Sequence, residues 1–220
     1  MLICAEHLTK QVIMGSQTLT ILQDVSLNID QGESLAIVGV SGSGKTTLLG
    51  LLAGLDLPTS GRVNFEGMDL QILDENQRAK IRAKKVGFIF QSFQLLNNLT
   101  ALENVMLPLE LNNHPHARSE AQALLDKVGL KDRMPHYPTQ LSGGEQQRVA
   151  IARAFAMQPK ILFADEPTGN LDQATASHII NLIFELNKQY HTAIVCVTHD
   201  STIADRCERR LHLVGGEIAS

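Results

Sequence analysis

The feature that limits this chain most is a glycine-rich octet placed directly after an apolar run. Ser34-Leu35-Ala36-Ile37-Val38 is short and almost wholly apolar, which reads as a buried strand. It feeds Gly39-Val40-Ser41-Gly42-Ser43-Gly44-Lys45-Thr46, a full match to G-x-x-x-x-G-K-[ST]. A helical stretch follows through Leu48 to Ala53, and Gly54 and Pro58 punctuate its end. Glycines let consecutive backbone N–H groups curl around an anion, and a helix beginning near Gly44 adds the positive end of its dipole. Gly39 through Thr46 are therefore candidate nucleotide-binding residues. Lys45 is expected to reach the β- and γ-phosphates, and the Thr46 hydroxyl can ligate Mg²⁺.

Two later segments extend this chemistry. Lys160-Ile161-Leu162-Phe163-Ala164 reads as another apolar strand, ending in Asp165 and Glu166 before Pro167. Ligands of open parallel sheets bind at the carboxyl ends of strands. Asp165 is thus expected to hold the Mg²⁺ shell, and Glu166, turned away from it by strand alternation, to polarise the attacking water. Leu141-Ser142-Gly143-Gly144-Glu145-Gln146-Gln147-Arg148 opens an amphipathic helix running through Val149, Ala152 and Phe155, with Ser142 and Glu145 at capping-box spacing. Two glycines in a first turn cost roughly 1 kcal/mol each against alanine, so something is expected to approach that backbone closely. Amides at a helix N-terminus suit a phosphate. Since the glycine octet already cradles one nucleotide, this second anion-binding start makes best sense serving the nucleotide of another chain.

The rest of the chain reads as an α/β fold with a largely parallel sheet, because short apolar runs alternate with amphipathic stretches. Leu19 to Leu22 and Val25 to Ile29 alternate as strands do, and Thr192 to Thr198 reads as a later one. From about Asn97 to Ala156 the pattern turns helical: Thr100 and Glu103 have capping-box spacing, and a helix from Ala117 to Val128 ends at Gly129. The 220 residues fit one domain with an inserted helical subdomain. A net charge of -4 gives no basic footprint for nucleic acid. Cys4, Cys196 and Cys207 lack the spacing of a zinc site or a disulfide framework, and Cys196 sits in an apolar run that reads as core. The reducing cytosol is the expected compartment. The N-terminus has no signal-peptide pattern and no run of 18 apolar residues occurs, so any membrane role is expected to come through a partner.

Leu141 to Arg148, lying between the glycine octet and the acidic strand, resembles the signature sequence of the ABC ATPases. The resemblance covers essentially the whole chain and implies a P-loop NTPase (RecA-like) core with an N-terminal antiparallel β part. The inserted helical subdomain would span about residues 92–156. Gln91, in Phe88-Ile89-Phe90-Gln91, matches the family glutamine that senses Mg²⁺, and Asp172, in Asn170-Leu171-Asp172, matches the loop that crosses the dimer interface. His199, in Val197-Thr198-His199-Asp200, matches the histidine that contacts the γ-phosphate. Thr47 joins the nucleotide-binding set as the residue after Thr46. The implied assembly is a head-to-tail dimer of two copies around two ATP molecules, each held by one copy's octet and the other's Ser142, Gly143 and Gly144. It would work on the cytoplasmic face of the inner membrane, where the helical insertion docks on a permease.

Within the family, Asp165 to Asp172, Leu99 to Val105 and Gln140 to Phe155 are similar to the lipoprotein-release and macrolide-export group. Members of that group work with permeases of four transmembrane helices and transmit force to the periplasm. One position departs from the pattern: Val12 stands where many members place a tyrosine against adenine. That substitution resembles the YbbA-type branch more than the lipoprotein-release branch; the former partners a large permease, and its operon often includes an esterase. A ribosome-control protein would carry two cassettes in one chain, and a DNA-repair ATPase a long coiled coil, whereas this chain has one set of motifs and a short insertion. A cell-division scaffold of the same subclass is compatible with the residues as well.

Overall fold

Apolar strands that bury both faces need helices beside them, and the chain supplies these in alternation. A computed structural model describes residues 1–15 and 17–219. The chain opens with β1 (Ile3–Met14), β2 (Gln17–Ile29), β3 (Ser34–Val38), α1 (Lys45–Leu52), β4 (Ser60–Phe65), β5 (Met68–Asp69) and α2 (Glu75–Lys85). Next come β6 (Val86–Phe90), α3 (Ala101–Leu111), α4 (Ala117–Lys127), α5 (Gly143–Phe155) and β7 (Ile161–Asp165). α6 (Gln173–Tyr190), β8 (Ala193–Val197), α7 (Ser201–Ala204), β9 (Arg209–Val214) and β10 (Glu217–Ala219) complete the order. Two compact units divide it: Met1–Arg82 with Ala193–Ser220, and Ala83–Thr192.

In the first unit β1 pairs antiparallel with both β2 and β4, and β5 extends β4 at the edge. The runs Leu19–Leu22 and Val25–Ile29 belong to one strand, β2. Register shifts along its pairing with β1, and the left-handed Asp24 (φ 51°), absorb the polar residues between them. β3 pairs in parallel with β8 and with β9, and β10 turns back along β9. Every residue of β8 is buried, Cys196 among them, and so are Leu48, Leu49, Leu51 and Leu52 of α1. The reading of Cys196 as core therefore holds.

The second unit carries β6 parallel to β7, with Phe88 stacked on Phe163 at 5.8 Å between ring centroids. The helical stretch is α3, α4 and α5, joined partly by single 3-10 turns. They bury Val105 and Leu109, Leu124 and Leu125, and Val149 and Ala152 in one cluster. Thr100 caps α3 through a reciprocal box with Glu103, and Gly129 (φ 72°) follows the end of α4 as expected. Asn104 is fully buried on α3. Its amide donates to the carbonyls of Leu96, Leu99 and Thr100 and accepts from the Leu96 N–H, fixing the loop that leads from β6. The run Leu99–Val105 thus has a structural reason for its composition.

Candidate functional site

In the first unit the octet follows β3 and closes on α1, whose N-cap is Gly44 at φ 97°. A Cβ there would meet Leu22 Cδ2 at 2.8 Å and the Ile21 carbonyl oxygen at 2.9 Å, so glycine is required by both conformation and space. Lys45 Nζ donates to the carbonyls of Gly39 and Val40, each at 2.8 Å, which holds the ammonium over the loop. The N-terminus of a helix such as α1 is where an anion would sit. β3 and β8 are in register from Ser34↔Ile194 to Ile37↔Val197, and continuing it brings His199 level with Gly39. His199 is exposed there, just before Asp200 caps α7 by accepting from the Thr202 N–H. Val12, 37% exposed, lies directly across from Leu19, 53% exposed, near the tip of the β1–β2 hairpin. Together they form an aliphatic pair.

In the second unit Phe90 pairs with Asp165, so one step further along this parallel register Gln91 stands level with Glu166. The strand ends at Asp165, however, and Glu166 has φ 47°. Its direction is therefore set by a turn, closed by the Gly169 N–H on the Glu166 carbonyl at 3.1 Å, and not by strand alternation. Left-handed backbone at a non-glycine residue stores strain of the kind found at functional positions. Gln91 and Asn170 exchange hydrogen bonds: Gln91 Nε2 donates to Asn170 Oδ1 at 3.3 Å, and Asn170 Nδ2 to the Gln91 carbonyl at 2.9 Å. A Cβ on Gly169 would strike the Gln91 amide at 2.8 Å, so the two loops are fitted to each other.

α5 begins as its sequence indicates. Ser142 accepts from the Glu145 N–H, and Glu145 accepts from the Ser142 N–H at 2.8 Å and from Arg133 Nε at 2.8 Å. The bond from the Ser142 N–H, then the Arg133 guanidinium, pull the Glu145 carboxyl down to about 2. The two glycines separate here. A Cβ on the buried Gly144 would lie 2.6 Å from Thr175 Cγ2 on α6, so that glycine serves the packing of α5 on α6. On Gly143 a Cβ would meet nothing nearer than Leu171 Cδ2 at 3.5 Å, and its φ is not positive. Asp172 caps α6 by accepting from the Thr175 N–H at 3.0 Å. Hydrogen bonding to Thr175 lowers its pKa.

Among the described residues no group of three His, Cys, Asp or Glu side chains could hold an ion. The candidate Mg²⁺ donors are a hydroxyl, an amide and a carboxylate: Thr46, Gln91 and Asp165. All are hard oxygen donors, which fits an ion that takes few protein ligands and relies on phosphates and water for the rest. Because Gln91 uses its amide nitrogen on Asn170, its carbonyl oxygen is the atom it can present.

Reading the sequence missed two residues of α5. Arg153 donates to the carbonyls of Gln94 at 2.6 Å and Phe93 at 3.0 Å, and Gln147, fully buried, donates to the Pro167 carbonyl. Gln147 could have been found, because it is a polar residue in the buried stripe with Gly144, Ile151 and Ala154.

Comparison with known proteins gives the family. Residues 22–169 match the family model described as ABC transporter. The chain is 54% identical, over 96% of its length and 94% of the relative's, to the uncharacterized ABC transporter ATP-binding protein YbbA of Escherichia coli strain K12. It is 49% identical, over 99% of its length and 96% of the relative's, to the lipoprotein-releasing system ATP-binding protein LolD of Legionella pneumophila strain Paris. Among solved structures, the ATP-binding cassette MJ0796, a dimer in a post-hydrolysis state bound to ADP and Pi, superposes with a TM-score of 0.91. That likeness is at 41% identity and covers 99% of this chain and 97% of the other.

Proposed function

Because the chain belongs to the ABC transporter family of ATP-hydrolysing cassettes, we propose that two copies close head to tail on two ATP molecules and drive a separate inner-membrane permease. The carrying observation is Gly143. It has neither a packing reason within its unit nor a conformational one, yet it stands beside the exposed Ser142 at a helix N-terminus. A ligand approaching from outside the chain accounts for the missing side chain. The solved dimer of a 41% identical cassette supports a partner copy as the source of that ligand.

In this reading the octet Gly39–Thr46, with Thr47, binds the phosphates, Val12 packs on adenine, and Ser142, Gly143 and Gly144 face the γ-phosphate of the partner's nucleotide. Asp172 belongs to the loop at the interface. Glu166 orients the attacking water, while Lys45 and His199 stabilise the developing charge; catalysis is positioning and charge neutralisation. Thr46, Gln91 and Asp165 would hold Mg²⁺, which supplies charge neutralisation at the phosphates. Residues about 92–156 form the subdomain that meets the permease.

The membrane side rests on kinship. Among the described residues no helix is long and apolar enough to cross a membrane, and a relative at 49% identity is named for a lipoprotein-releasing system. We infer a cassette on the cytoplasmic face of the inner membrane, acting by mechanotransmission on a four-helix permease with a large periplasmic domain. An esterase belongs to the same set if the YbbA-like kinship extends to the operon. The test of the core claim is Glu166→Gln. That variant is expected to bind ATP and accumulate as a dimer in light scattering; hydrolysis at the parent rate would remove Glu166 from its role. Replacing Ser142 and Gly143 together is expected to abolish turnover while the single chain still binds ATP, and equal loss of both would place this helix start in the same chain's site.

A further inference from the structure

α5 turns one side chain inward that hydrophobic packing does not ask for. Gln147 is fully buried, and its Nε2 donates to the Pro167 carbonyl. Among the described residues its Oε1 has no hydrogen-bond partner. A buried amide that satisfies its donor and leaves its acceptor unpaired is costly beside an apolar side chain of similar volume, so the donor must earn its place. The carbonyl it meets belongs to the residue after Glu166.

That neighbourhood is constrained in a specific way. Pro167 fixes its own φ and pushes the preceding residue toward extended backbone. Glu166 nevertheless sits at φ 47°. Strain of this kind persists only where the surroundings over-determine it. The turn bond from the Gly169 N–H holds the Glu166 carbonyl from one side. From the other, Gln147 anchors the Pro167–Thr168 peptide to a helix whose neighbouring side chains, Val149, Ala150 and Ile151, are fully buried. Pro167 and Thr168 are buried too, so no water substitutes readily for the amide.

We propose that Gln147 is a positioning residue for Glu166: its amide holds the Pro167 carbonyl and so keeps the Glu166 carboxylate in the direction that orients the attacking water. The proposal rests on Glu166 having that role. It also gives α5 two duties. Its N-terminus carries Ser142 and Gly143, and its second turn sets the carboxylate of the same chain.

The test substitutes Gln147→Met, which keeps volume and removes the donor. Under saturating ATP, kcat is expected to fall between about ten- and a hundredfold, the scale of a misplacement of about 1 Å. The affinity of the single chain for ATP should stay within about twofold, and the melting temperature within about 2 °C, because the orphan acceptor is removed as the bond is lost. In a Glu166→Gln background, Gln147→Met should change the residual rate by less than about twofold, since groups acting as a unit are not additive. An equal fold-loss in both backgrounds, or a kcat within twofold of the parent, overturns the proposal. Failure of both Gln147→Met and Gln147→Leu to fold also overturns it, by assigning the amide to the fold. If Glu166→Gln itself hydrolyses at the parent rate, the role of Glu166 falls first; if it arrests hydrolysis while Gln147→Met does not, only the inference about Gln147 falls.

Discussion

Arg153 and Val12 show how differently single residues bear on this site. Arg153 sits in the last turn of α5 with its guanidinium over two carbonyls, those of Phe93 and Gln94, both in left-handed backbone (φ 59° and 49°). Burial lowers its pKa, but a guanidinium remains charged in protein surroundings. A lysine can direct donors at the same place yet lacks the planar fork. Arg153→Lys is therefore expected to lose roughly 1–2 kcal/mol of stability, read by urea denaturation; an unchanged midpoint would show that the loop after Gln91 needs no such clamp. Val12 is the residue proposed to pack on the adenine. An aromatic ring there would add a stacking face to the aliphatic pair it forms with Leu19. Val12→Tyr should tighten ATP by about 1 kcal/mol, a Kd about fivefold lower, and sharpen the preference for ATP over GTP. Equal affinity and equal preference in nucleotide titrations would separate this hairpin from the adenine.

At the scale of elements, the start of α5 has a pH signature. Glu145 titrates at about 2 against an ordinary 4.5, so the folded state favours its ionised form. Stability from this group is complete above pH 4.5 and is lost as pH falls through 2, with a ceiling of about 3 kcal/mol by linkage. The stability difference between the parent and Glu145→Gln should accordingly shrink from pH 5 to pH 2 in denaturant titrations; a difference that stays constant would deny the capping box its charge. Such boxes were legible in the sequence because they are local, at fixed spacing. So were β3, α1 and β7, where an apolar run and a glycine or acidic terminus coincide, and β8, an unbroken apolar run. Glu166 was legible as a residue but not in its direction, since a turn before proline overrides strand alternation. The two glycines of α5 looked alike in sequence and differ only because Thr175, more than thirty positions away, packs on one of them. Arg153 and Gln147 went unread for a related reason: their partners are backbone carbonyls of distant loops, and a carbonyl leaves no trace in a sequence.

For the whole molecule the decisive question is which chain supplies each half of a nucleotide's surroundings. A helix start such as Ser142–Gly143 and a loop such as Gly39–Thr46 could in principle answer to the same ligand or to two. Head-to-tail pairing predicts that Ser41 of one copy approaches Ser142 of the other when ATP is held between them. The native thiols are poor competitors in a disulfide assay. Cys196 is buried, burial pushes Cys207 up to about 11, and burial followed by the Glu6 carboxylate raises Cys4. In a Glu166→Gln background, one copy carrying Ser41→Cys and another carrying Ser142→Cys should therefore cross-link under mild oxidation with ATP present. The mixture without nucleotide should give no such dimer, nor should either copy alone. Cross-linking that appeared equally in a single chain carrying both substitutions, at concentrations too low for pairing, would place both elements around one chain's own nucleotide. The shared-site mechanism would then fail, and with it the reading that ATP binding is what brings two cassettes, and through them a membrane partner, into register.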